Sequence, residues 1–123
     1  MTSPRGFDHE RLDVYRDALD LVVLADRMAL SFTGVRKHLG WQLHRAACSV
    51  VLNIAEGSGR YRPGDKAQFF VIASGSVAEC AAIVDIGERL GIGEDQVRSE
   101  LRTRLNDLAR RLISLSRTVR RRA

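Results

Sequence analysis

Two prolines, two cysteines and seven aromatic side chains are all that 123 residues hold of the types that most constrain a fold or a site. Each scarcity excludes something. Pro4 and Pro63 fall outside the predicted helix interiors, so nothing breaks a long helix. Cys48 and Cys80 are too few for a disulfide scaffold and read as small apolar residues of a reducing compartment. His9, His38 and His44 do not make a metal set, and the Glu-x-x-His pairs of di-iron bundles do not occur. Four Phe, two Tyr and one Trp are too few on basic faces for base stacking. No apolar run approaches the ~18 residues of a membrane span, and "MTSPRGFDHE" lacks the apolar core of a signal peptide. The expectation is a cytoplasmic protein of one domain, residues 1–123, that meets no membrane.

What is present is charge, unevenly placed. The net charge is +5, and 18 of the 20 basic residues are arginine. Phe7 to Phe32 carries six acids against three arginines; from Arg98 onward nine arginines face only Glu100 and Asp107. The end, "RTVRRRA", reads as a solvated helix face or as an anion-binding tail, residues 120–123 being the basic extremity.

The apolar pattern is helical throughout, with no alternating segment. Four helices are predicted at about 8–32, 35–56, 66–90 and 95–119. Asp8 reads as the first cap, with Phe7 and Leu12 as a hydrophobic staple; Leu12, Tyr15, Leu19, Val22 and Ala29 mark the first stripe. Gly57 and Gly91 read as helix ends, and Asp65 with Gln68 as a capping box. Val97, Leu101, Leu105, Leu108, Leu112, Leu115 and Val119 step by three and four along the last helix. Four long helices with short joints predict an all-α, antiparallel up-down-up-down four-helix bundle.

The glycine-rich "NIAEGSGRYRPGDK" follows a helix and has neither phosphate-loop spacing, so it is a corner. Arg60, Arg62 and the amides of the following helix remain a secondary anion site.

The second helix carries the most informative pattern. Gln42, Arg45, Ser49, Asn53 and Glu56 fall in a sector of roughly 80°, with apolar residues on both flanks. Such a stripe is expected to be enclosed, in the bundle or between subunits, and to need partners. Ser76 and Glu79 on the third helix supply them, with Arg45 paired to Glu79. Folding the two helices back about residue 61 leaves Cys48 and Cys80 roughly 9 Å apart along the axis, too far for a disulfide. The stripe reads as structural: no histidine or cysteine nucleophile shares its face, and no catalytic, metal or cofactor-binding residue is assigned.

"QLHRAACSVVLNIAEGSGR" followed by "DKAQFFVIASGSVAEC" resembles the signature of the bacterial four-helix-bundle proteins encoded in intervening sequences of 23S rRNA genes. The resemblance implies subunits of a cylindrical homopentamer, with no established catalytic residues. A related branch, the accessory variability proteins of diversity-generating retroelements, comprises basic pentameric barrels that bind nucleic acid and a reverse transcriptase. One departure is that Phe32 is followed by Thr33 and Gly34 where a proline is usual.

The leading expectation is a non-enzymatic, self-assembling scaffold that contacts RNA, with copies of itself as partner and no cofactor or small-molecule substrate. The alternative is an accessory nucleic-acid-binding factor partnering a reverse transcriptase. Its candidate contacts to RNA or DNA are Arg60, Arg62, Arg98, Arg102, Arg110, Arg111, Arg117, Arg120, Arg121 and Arg122.

Overall fold

The apolar periodicity closes into four α-helices, and a computed structural model describes residues 12–122 of the chain. They are α1 (Asp13–Ala29), α2 (Lys37–Ser58), α3 (Pro63–Leu90) and α4 (Asp95–Arg121), with a 3-10 turn at Gly34–Arg36 before α2. The described residues contain no strand. Each helix packs on its chain neighbours, and α1 also packs on α4. The backbones of α1 and α3, and of α2 and α4, stand diagonally apart; Met28 of α1 still reaches Gly87 of α3 across the core. The cross-section is therefore a square in chain order, the up-down-up-down bundle that short joints dictate.

The interior is mostly aliphatic. Leu21, Leu43, Val50, Ile54, Phe70, Val84 and the α4 leucines Leu101, Leu105, Leu108 and Leu112 are almost wholly removed from solvent. Burying such side chains contributes about 1.5–3 kcal/mol each, which makes this line the main stabilising term.

Several helix details differ from the sequence expectation. On α1 the buried line is Val14, Ala18, Leu21, Ala25 and Met28, one residue or about 100° away from the predicted stripe. Both lines are apolar, and packing chose the one with Ala18 and Ala25, both wholly buried; Leu19 is left 42% exposed. The helix stops at Ala29, not 32, and Phe32 turns into the core. The Asp8 cap and the Phe7 staple lie outside the described residues.

Gly57 does not end α2. It is helical, and its missing side chain admits α3: a Cβ there would lie 2.9 Å from Phe69 Cβ and 3.0 Å from Phe70 Cε1. The Asp65 cap is also not formed. Pro63 occupies the first position of α3, where its absent N–H costs nothing, and Asp65 sits in the first turn. Gly91 ends α3 in the left-handed conformation (φ 69°), as its position predicts.

Candidate assembly face and basic tail

The interior of the bundle has no room for the polar stripe. Leu43, Ala46, Ala47, Val50 and Ile54 take the core side of α2, so the stripe faces outward along the seam with α3. Gln42, Arg45, Glu56 and Glu79 are exposed, and Ser49, Asn53 and Ser76 are half-buried. The expectation that the bundle itself encloses the stripe is thus corrected. So is the Arg45–Glu79 pair: among the described residues neither side chain has an ion-pair partner. Glu56 instead pairs with Arg60 at 2.9 Å, one turn on.

Three of the predicted residues do meet. Asn53 Nδ2 donates to Ser49 O at 2.8 Å and to Ser49 Oγ at 2.9 Å. Ser49 Oγ lies 2.9 Å from Ser76 Oγ, and Ser76 Oγ donates to Ile72 O at 3.4 Å. Each hydroxyl has one proton, so the donors run in one direction, Asn53 to Ser49 to Ser76 to the Ile72 carbonyl. The chain is neutral and holds no base or nucleophile. It ties α2 to α3, each bond contributing about 0.5–1.5 kcal/mol.

The outer face around this latch is unusually apolar. Leu52 is 66% exposed, and Val71, Ile72, Ile86 and Leu90 are each about 40% exposed. Gly75, Ala78 and Ala82 add small exposed residues between them. By length and composition α3 could cross a membrane, and only 33% of its most apolar stretch is buried in the chain.

The corner between α2 and α3 is closed by its own cations. Lys66 Nζ donates to Ser58 O at 2.8 Å, capping the end of α2. The Arg60 guanidinium, besides pairing with Glu56, lies 4.7 Å over the Phe69 ring. Arg62 is exposed.

Half of the candidate nucleic-acid contacts serve the fold. Arg98 is buried, donating to the Ile92 and Gly93 carbonyls and pairing with Asp95, so it locks the α3–α4 joint and is withdrawn as a contact. Arg102 bridges to Asp85 at 2.7 Å and Glu88 at 2.6 Å on α3, and its hydrogen bond holds the Glu88 carboxyl below its ordinary value. Arg111 joins Asp17 of α1 to Asp107, and the Asp17 bond is the main cause of its raised pKa. Arg110 reaches Asp107 at 3.5 Å. Arg117, Arg120, Arg121 and Arg122 have no acidic partner among the described residues and stand exposed at the end of α4.

Residues 10–114 match the sequence pattern of the 23S rRNA-intervening sequence proteins. The chain belongs to that family. No curated protein matches it. The α2–α3 face of this intervening-sequence protein lies wholly within the matched span, whereas Arg117 to Arg122 lie beyond it.

One constellation escaped the sequence reading. His44, on the α1 side of α2, places Nδ1 2.7 Å from Asp26 Oδ1, and Cys48 Sγ lies 3.7 Å from His44 Nε2. The four-residue spacing of His44 and Cys48 was visible in the sequence; the register that brings Asp26 to them was not. Both cysteines are free thiols.

Proposed function

We propose that this intervening-sequence protein is a non-enzymatic bundle that assembles with copies of itself through the outer α2–α3 face and acts as a scaffold. The supporting observation is that face: exposed Leu52, Val71, Ile72, Ile86 and Leu90 surround the Asn53–Ser49–Ser76 latch. Surfaces of this kind mark interaction sites. Arg45 and Glu79 add opposite, unpaired charges to the same face, so a second copy can answer both. The hydrocarbon interior of a bilayer would leave both charges unanswered, which favours a protein partner over a membrane-spanning α3.

A second apolar patch, Leu19 and Val23 on α1, lies across the bundle from α3. Two different patches on opposite sides suit a head-to-tail ring better than an isologous dimer, which agrees with the pentamer that the family resemblance implies. Sedimentation at micromolar concentration tests this reading. A multi-chain species is expected, and a monomer would refute it.

The free arginines favour a second reading, contact with RNA or DNA. A groove of about 500 Å³ is lined by Ser74, Arg110, Ile113, Ser114, Arg117 and Arg121, and Arg120 and Arg122 are exposed on the same last turn of the chain. Four such arginines neutralising phosphates would give a log–log salt slope on the order of 3 to 4 on duplex. A gel shift across a salt series measures it; no binding at low salt would dismiss nucleic acid while leaving assembly untouched. The resemblance to retroelement accessory proteins adds a reverse transcriptase as the partner to try in the same assay.

A further inference from the structure

Asp26, His44 and Cys48 form a line that neither reading above uses. A carboxylate can only accept a hydrogen bond, so the 2.7 Å contact to Asp26 Oδ1 places the ring proton of His44 on Nδ1. Nε2 is then the lone-pair nitrogen, and it faces Cys48 Sγ at 3.7 Å. The Asp26 and His44 side chains are 47% and 49% exposed, and Cys48 is half-buried, so reagents can reach all three.

The titratable groups facing Cys48 are Asp26 from α1, His44 from its own helix and Cys80 from α3. Burial first, and the Asp26 charge second, push the Cys48 thiol up, so at neutral pH it rests protonated. Such a thiol reacts when a base takes its proton as the sulfur attacks, and a thiolate of high pKa is the stronger nucleophile once formed. Cys80, pushed up to about 12 by burial, has no such base against it and is an internal control.

We propose that Cys48 is a base-assisted nucleophilic thiol that forms mixed disulfides with small disulfides, His44 accepting its proton and Asp26 positioning the ring. Cys48 Sγ attacks one sulfur of R–S–S–R as His44 Nε2 takes the thiol proton. The new sulfur–sulfur bond forms, the old one breaks, and the leaving thiolate takes the proton back from the imidazolium and departs as RSH. Cys48 is oxidised and the incoming disulfide reduced, so the step needs no further oxidant.

The surroundings favour sulfur exchange over acyl transfer. His44 and Cys48 lie mid-helix, where backbone amides already bond to helix carbonyls and none is free to hold an oxyanion. Exchange at sulfur develops no oxyanion. Among the described residues no set of three His, Cys, Asp or Glu side chains is placed to hold a metal ion. Beside His44 opens a groove of about 660 Å³ that Cys48, one helical turn away, does not itself line, with Leu30 and Trp41 for the apolar part of a ligand, Lys37 for a carboxylate and Asp26 for an ammonium group. That lining suits a small peptidic disulfide.

The test incubates the full chain with glutathione disulfide and follows adduct formation by intact mass and peptide mapping, from neutral to alkaline pH. The adduct is expected on Cys48 and not on Cys80, and Cys48→Ser abolishes it. His44→Gln is expected to slow it at pH 7 by about tenfold or more, and Asp26→Asn by less. The wild-type and His44→Gln rates converge in alkali, where hydroxide ionises the thiol unaided; a merely structural histidine would give no such convergence. Circular dichroism confirms the fold of each variant, and Asp26→Asn carries the same readout should His44→Gln unfold. Equal rates for wild type and both variants at pH 7, or no adduct on Cys48, would overturn the proposal.

Discussion

Gly57 and Arg98 carry more of the fold than their exposure to sequence reading suggested. A methyl at Gly57 would meet Phe69 at the root of its side chain, which cannot swing away. Gly57→Ala is therefore expected to lower stability by about 1–3 kcal/mol, outweighing the gain of up to about 1 kcal/mol in helix propensity. Gly75 is the contrasting case, helical with nothing within 4 Å, so Gly75→Ala should raise the stability of the chain by about 0.5–1 kcal/mol. Thermal melts of the two variants should move in opposite directions. Arg98→Ala leaves the Ile92 and Gly93 carbonyls without their charged donor and should cost on the order of 2 kcal/mol. Both residues were misread for the same reason: glycine punctuates helices and arginine binds anions often enough that only tertiary contact reveals the other use. Gly91, whose role is set by its own backbone, was read correctly.

At the scale of the helices, an exposed charge pair between α3 and α4 has a definite pH signature. Hydrogen bonding to Arg102 lowers the Glu88 carboxyl from its ordinary 4.5. A depressed acid stabilises the fold above its unfolded value and loses that contribution as pH falls through the lowered one. The melting difference between wild type and Arg102→Gln should therefore be present at pH 6 and shrink in acid below pH 4.5; a difference that grows in acid would contradict this. The apolar line of helix α4 was legible from Val97 to Leu112, because its leucines stand alone on a charged background; beyond it Leu115 and Val119 are only half-buried and Ser116 is buried. Helix α1 was not. Its apolar residues cover adjacent lines, and the choice between Val14–Ala18–Leu21 and Tyr15–Leu19–Val22 belongs to the neighbours it packs on. The same limit hid Asp26 from His44, since their meeting depends on where α1 settles against α2.

For the molecule as a whole, four helices and their order follow from periodicity and joint length, and the family from residues 10–114. The polar stripe was recognised in the sequence with both places left open, the bundle interior and an interface between subunits, since apolar flanks on both sides of a helix fit the two equally well. The bundle interior is the one the structure rules out. With the interior filled by apolar side chains, the outer α2–α3 face is the surface left to the proposed contact with a second copy. Gly75 sits on that face with open space around it, so an arginine there disturbs the interface without entering the core. The mass of wild type and Gly75→Arg by light scattering at equal micromolar concentration is the most direct test. The account predicts an assembly for the wild type and a folded, single chain for the variant; a wild type that is already a monomer, or a variant that assembles as well as its parent, would contradict it.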